Sequence, residues 1–152
     1  KKDQLRVRPR IVTALRRAGQ RMILARSGDD PFSVGTAKDL FFIDRHPHRN
    51  LFPRMAAVIH HGGAGTTATA AISGVPQIIV PHALDQFYWG HRIWQAGLGP
   101  KPISRQRLTA HRLSDAVGRC LRDPRYRRRS GQVAGTIRRE NGLSMAVAAI
   151  VN

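Results

Sequence analysis

Residues Val58 to Thr67 read V-I-H-H-G-G-A-G-T-T, an apolar run that passes straight into glycines and then into small helix-forming residues. That order spells strand, tight turn and helix start, a combination proper to α/β sheets whose strands end at ligand-binding loops. Gly62, Gly63 and Gly65 permit close backbone approach and unusual dihedrals, so N–H groups at the helix start can aim at an anion. The helix dipole adds roughly half a positive charge there. Thr66 and Thr67 offer hydroxyls in the first turn, and His61 offers an imidazole N–H able to bond a phosphate oxygen. A bare strand-to-helix turn would explain the glycines equally well. The spacing departs from the GxGxxG dinucleotide fingerprint, and no Gly-Lys-Ser or Gly-Lys-Thr occurs to make a P-loop. His60 and His61 invite a metal, but adjacent strand residues point to opposite faces and one nearby carboxylate is too few ligands. No metal and no other cofactor is expected.

Around this segment, strands and helices alternate. A helix carries Ile11, Val12, Leu15 and Ala18 on one face, with Pro9 suited to its first turn and Gly19 as its stop. Strands follow at Met22 to Ala25 and Leu40 to Ile43, separated by a Gly, Asp, Pro and Ser-rich loop from Ser27 to Thr36. After a short turn at LFPRM come the strand Ala56 to His60, the helix Thr66 to Ile72 stopped by Gly74, and the strand Gln77 to Val80. A helix bearing Phe87, Trp89, Ile93 and Trp94 ends at Gly97. Thr109 caps a helix to about Arg122, Asp123 and Pro124 restart another, and Leu143, Ala146, Val147, Ile150 and Val151 mark a last amphipathic one. Short connections of this kind predict one α/β domain, a Rossmann-like parallel sheet with helices on both faces.

The 152 residues suffice for one core, and the longest apolar stretches are far too short to cross a bilayer, which reads as soluble and cytoplasmic. The single cysteine, Cys120, falls in line with Leu113, Ala116, Val117 and Leu121 and reads as core. A net charge of +17 invites a nucleic-acid or acidic-surface partner. Its arginines are spread along the chain, however, with Arg112, Arg119 and Arg122 on the outer face of one helix. Only 6% of residues are aromatic, and those near Asp85 read as buried, whereas nucleic-acid binding would interleave exposed aromatics with the basic residues.

A second feature, P-H-A-L-D-Q at Pro81 to Gln86, follows the next strand and so falls on the same carboxyl-end edge as the glycine loop. Asp85 supplies two acceptors and Gln86 an acceptor and a donor, a pair suited to adjacent sugar hydroxyls; Asp85 is also well placed as a helix N-cap. HHGGAGTT, SGVPQIIVP and DQFYWGHRI at this spacing resemble the donor-binding signature of the nucleotide-diphosphate-sugar glycosyltransferases, with plant, sterol and glycopeptide-antibiotic branches. PHRNLFPRMAAV upstream is similar to that family's PHDWLFP lead-in, and LGPKPISRQRLTAHRL to the segment after the donor site in the bacterial and sterol branch.

The resemblance implies that residues 1–152 are the donor-binding, C-terminal half of a two-domain GT-B enzyme, N-terminally truncated so that its first strand is missing. It implies a UDP- or TDP-sugar as donor, transferred with inversion to a hydroxyl of a lipophilic or natural-product acceptor held by the absent domain. His61, Gly63, Gly65, Thr66 and Thr67 would hold the diphosphate, Asp85 and Gln86 the sugar, and His46, Pro47 and Arg49 the base. Thr69 stands where the plant signature has a ribose-binding glutamate, and Asn50 where PHDWLF has tryptophan. The family's general base lies in the absent domain, so no catalytic residue is assigned here. Nucleic acid is not an expected partner, and a peripheral membrane contact stays open. The competing readings are a basic module for nucleic acid or an anionic surface on a Rossmann-like scaffold, and a truncated, non-functional gene product.

Overall fold

The structure, a computed structural model, describes residues 4–26, 37–44 and 46–140, with side chains from Val7 onward. The Ser27 to Thr36 loop and the last amphipathic segment, Leu143 to Val151, lie outside the described residues. In chain order the elements are α1 (Gln4–Arg17), β1 (Met22–Ala25), β2 (Leu40–Ile43), α2 (His48–Leu51), β3 (Val58–His60), α3 (Ala64–Ser73), β4 (Gln77–Ile79), α4 (Asp85–Gln95), α5 (Ala110–Arg122) and α6 (Pro124–Arg139). Single 3-10 turns at Phe52–Arg54 and Arg105–Arg107 punctuate the connections.

Both strand pairings are parallel. β1 lies beside β2 with Met22 opposite Leu40, and β3 beside β4 with Val58 opposite Gln77. The outer edge of β4 is covered by the chain that follows α4, where Gln77 N–H donates to the Leu98 carbonyl and Ile103 N–H to that of Ile79. The α/β expectation therefore holds, with one refinement: the described strands form two two-stranded ladders, and β1 and β3 do not pair with each other.

Layers lie on both faces. Ile78 and Ile79 are adjacent on β4 and both buried; Ile78 packs with Leu15 of α1 and Leu113, Val117 and Cys120 of α5, while Ile79 packs with Ile93 of α4 and Leu98. Period-two alternation makes this the only way a strand buries consecutive apolar residues. A third cluster joins Phe52, Val58, Ala70 and Val75. Each such side chain taken fully from water contributes about 1.5–3 kcal/mol, so the core rests on α1, α5 and the strands together. Cys120 is buried, and that burial pushes its thiol up to about 12, which makes it a core residue.

Caps fix the helices of the C-terminal half. The Thr109 hydroxyl accepts from Arg112 N–H at 3.2 Å to start α5, and the Asp123 carboxylate accepts from Arg125 N–H at 3.0 Å to start α6, with Pro124 as first residue. Gly74 ends α3 at φ +69° beneath α6.

Four local expectations are corrected. Pro9 sits inside α1 instead of in its first turn, because the helix already runs from Gln4; at that position the proline forgoes the main-chain bond to the Leu5 carbonyl. Helix α3 begins at Ala64, so Gly65 belongs to its first turn and Gly63 is the N-cap. Strand β3 begins at Val58, two residues later than read. The aromatics after Asp85 are not all buried: Phe87 is 49% and Tyr88 59% exposed. Helix α4 packs through Gly90 and Ile93, which turns Phe87, Tyr88 and Trp94 outward.

Part of the arginine surplus has a structural use. Arg127 donates to the carbonyl of Met55, Arg129 to that of Ala96 at the end of α4, Arg138 to that of Ile72 in the last turn of α3, and Arg10 to that of Leu108. Carbonyls at helix ends lack intrahelical donors, and a guanidinium reaching over from α6 supplies them.

Candidate functional site

Because β3 and β4 are parallel, the glycine loop and the PHALDQ loop leave the sheet at the same edge. What joins them is Gly62. Its φ of +92° excludes ordinary L-residues, and a Cβ there would lie 2.8 Å from the Ile79 side chain and 3.0 Å from the Gln86 carbonyl oxygen. The phosphate-type loop thus rests directly on the backbone of the Asp85–Gln86 turn.

Helix α3 opens toward solvent with no side-chain cap. Thr67 N–H makes the first main-chain bond of the helix, to Gly63, so the N–H groups of Ala64, Gly65 and Thr66 precede the ladder. A Cβ on Gly65 would meet nothing within 4 Å, which leaves room for a ligand against the backbone. These are the elements of an anion cradle at a helix N-terminus. His61 is exposed at the loop, with its ring folded over Gly63. Thr66 is half-exposed, but Thr67 is buried and its Oγ1 has no hydrogen-bond partner, so of the two hydroxyls Thr66's is the one near the surface.

His60, weighed in the sequence only as a metal ligand, has a different part. Its Nδ1 accepts from Gly62 N–H at 3.1 Å, which leaves Nε2 to carry the proton and donate to Gln77 Oε1 at 2.9 Å. Gln77, fully buried, donates onward to the Thr67 carbonyl at 3.3 Å. The chain of bonds ties the glycine loop to α3 through β4. Burial holds His60 down to about 4, so it is neutral at pH 7 and keeps an acceptor toward Gly62. The signal available in the sequence was that His60 follows Ile59 on an inward-facing strand; Gln77 gave none. Among the described residues, no group of three His, Cys, Asp or Glu is placed to hold a metal ion.

On the other loop, Asp85 is exposed in the first turn of α4, and the cap position belongs to Leu84. The Gln86 side-chain carbonyl accepts from His82 N–H at 2.8 Å and Ala83 N–H at 3.2 Å, so its amide NH2 is the group presented outward. Leu84 has φ +49° and ψ −126°, a strained backbone for leucine, and is 89% exposed. His82, not singled out in the sequence, lies 6.4 Å from His61 ring to ring, and with Arg8 and Arg105 these imidazoles line a hollow of about 220 Å³.

His46, Pro47 and Arg49 are exposed around the start of α2, beyond the carboxyl end of β2 and therefore on the same edge. Their neighbour His48 stacks on Phe52 at 4.6 Å and shares a cavity with His61 and Thr66.

A parallel α/β sheet with helices on both faces, its loops and an open helix N-terminus gathered at one strand edge, is the Rossmann-like architecture of the C-terminal half of the GT-B fold. The chain belongs to the family of erythromycin biosynthesis protein CIII-like C-terminal domains, whose model matches residues 22–142. It is 38% identical over 139 residues to a sterol 3-beta-glucosyltransferase of Arabidopsis thaliana, covering 90% of this chain and 22% of that protein. It is 42% identical over 138 residues to the vancomycin aglycone glucosyltransferase of Amycolatopsis orientalis, covering 89% and 33%. Among solved structures, the glycosyltransferase VinC in complex with DTDP aligns with a TM-score of 0.69 at 28% identity, over 82% of this chain and 32% of that one. The spinosyn rhamnosyltransferase SpnG shares the fold, with a TM-score of 0.80 at 20% identity over 94% and 40%. The chain thus spans about a fifth to a third of the length of these two curated relatives. No helix among the described residues is long and apolar enough to cross a membrane.

Proposed function

We propose that residues 1–152 form a single donor-binding domain that holds a UDP- or TDP-sugar for inverting transfer of the sugar to a hydroxyl of a lipophilic or natural-product acceptor. The observation that carries this is the contact of Gly62 with Gln86, which sets the open N-terminus of α3 beside the Asp85–Gln86 turn, one for anionic phosphate and the other for hydroxyls. The N–H groups of Ala64, Gly65 and Thr66, with His61, Gly63 and the Thr66 hydroxyl, bind the diphosphate, and Thr67, whose N–H is bonded to Gly63, holds the first turn of α3 in place. They stabilise the charge that grows on the leaving group as the glycosidic bond breaks. Asp85 accepts from sugar hydroxyls, and the Gln86 amide donates. His46, Pro47 and Arg49 face the base. Proton removal from the acceptor belongs to a residue outside this chain, which has no catalytic residue of its own and is inactive by itself. A cytoplasmic setting, where a lone thiol stays reduced, is part of this reading.

The test is calorimetric titration with UDP-glucose and dTDP-glucose, and a short oligonucleotide as comparator, at elevated salt. Donor binding that persists in salt and is lost in His61→Ala and Asp85→Ala is expected. Binding of the oligonucleotide alone, falling steeply with salt, would overturn the reading in favour of a basic module.

A further inference from the structure

Helix α4 packs on the domain through Gly90 and Ile93 and leaves its other side bare. Phe87, Tyr88, His91 and Trp94 recur at the spacing of one helix face, and all four are exposed. The stripe continues past the helix start to Leu84, 89% exposed at φ +49°. Of the seven large apolar side chains exposed among the described residues, four stand here, whereas Ile23, Phe41 and Ile72 lie on separate elements. Cations border the stripe. The Lys101 ammonium stands over the Trp94 ring, 5.3 Å from its centroid, and exposed Arg92 sits beside the stripe on the same helix. At the end of α4, Trp94 and Gln95 share a hollow of about 490 Å³ with Arg125, Tyr126 and Arg128 at the start of α6. The carboxylate in that lining, Asp123, is already bonded to Arg125 at 2.7 Å.

We propose that this face of α4, with its border of Lys101, Arg125 and Arg128, is a docking surface for an anionic lipid bilayer, on which the helix lies flat. A row of Leu, Phe, Tyr and Trp is unfavourable in water and favourable at the boundary of headgroups and acyl chains, where the tips of Tyr and Trp stay wet. The long basic side chains at its edge keep their charges at the level of the lipid phosphates. One partner thus meets both the apolar stripe and the cations. A second copy of the chain would set Lys101, Arg125 and Arg128 against like charges, and a single-stranded nucleic acid would use the aromatics and arginines but leave Leu84 in water. Helix α4 starts at the carboxyl-end edge and ends beside the start of β4, where Gln77 N–H bonds to the Leu98 carbonyl. A bilayer along it therefore runs from the Asp85–Gln86 turn to the far side of the domain and holds that turn at headgroup level. On the donor-domain reading, an acceptor dissolved in the bilayer meets the sugar there; the docking itself does not depend on which ligand the cradle takes.

The experiment is cosedimentation of the chain, without nucleotide, with vesicles of phosphatidylcholine alone and with vesicles containing about one-third phosphatidylserine, at physiological salt. The chain pellets with the second kind and not with the first. Phe87→Ser/Trp94→Ser, which truncates two exposed side chains and leaves the charge unchanged, weakens the partition roughly tenfold or more. Lys101→Gln/Arg128→Gln weakens it further than Arg17→Gln/Arg21→Gln, which removes the same charge from exposed positions around the end of α1. Bromine atoms on the acyl chains quench the tryptophan fluorescence of the wild type. In Trp94→Phe, which keeps half-buried Trp89, the chain still pellets and the quenching is lost. The proposal is overturned if the apolar variant binds as the wild type does or if both charge pairs matter equally, either of which makes the attraction one of diffuse charge. Absence of quenching at Trp94 overturns it as well. So does a chain that ignores the vesicles, whether because a dimer that Phe87→Ser/Trp94→Ser dissociates closes the face or because the face takes an oligonucleotide instead. Donor titration without vesicles reads the cradle separately, so its failure would count against the nucleotide-sugar reading alone.

Discussion

Acidification from pH 7.5 to 5 tests the His60 relay. The imidazole is held to about 4 in the fold, against 6.5 for an ordinary histidine. Its folded value is depressed, so between these limits the unfolded chain binds the extra proton and the native state does not. Stability from this group is complete above about pH 6.5 and falls as pH drops toward 4. Each pH unit of difference corresponds to about 1.4 kcal/mol, which makes the full loss about 3 kcal/mol and the loss by pH 5 about 2 kcal/mol. The loss has a structural reading: a proton on Nδ1 removes the acceptor for Gly62 N–H and releases the loop that carries His61. Urea unfolding at pH 7.5, 6 and 5 measures it against His60→Asn, which keeps one acceptor and a donor in the side chain but cannot titrate. The exposed histidines and the net positive charge act in both proteins and cancel in the comparison. Wild type should lose about 2 kcal/mol more than the variant over this range. Equal slopes would refute the reasoning, because they would mean that His60 is accessible to protons in the native state.

Two further substitutions separate fold from site. Gly62→Ala forces an L-residue to positive φ and drives a methyl against Ile79 and the Gln86 carbonyl, so it should cost about 2–4 kcal/mol in urea unfolding and weaken donor binding by more than the unfolded fraction explains. Thr67→Val removes a buried hydroxyl that has no partner, so it should leave stability unchanged or raise it by about 1 kcal/mol, with UDP-glucose affinity within twofold of wild type. A tenfold loss of affinity would instead assign the Thr67 hydroxyl to the diphosphate.

The sequence by itself determined the element types, the edge and the chemistry of its loops. The short apolar run at β4, the glycines after β3 and the caps at Thr109 and Asp123 are local signals, each set by residues within a few positions of one another. For the same reason His61 and Asp85 stand out in the sequence as candidates, and the structure sets both on loops at one strand edge. The tertiary structure decided what depends on neighbours distant in the chain. Gln77 looks like a routine polar residue until β4 sets it beside His60 and under Thr67, and a buried amide there must be bonded. The need for glycine at position 62 comes from Gln86, and the outward turn of Phe87 and Tyr88 from what Gly90 packs against. That β1 and β3 do not pair with each other is likewise invisible to periodicity, which reports how a strand faces above and below the sheet but not which backbone lies at its side.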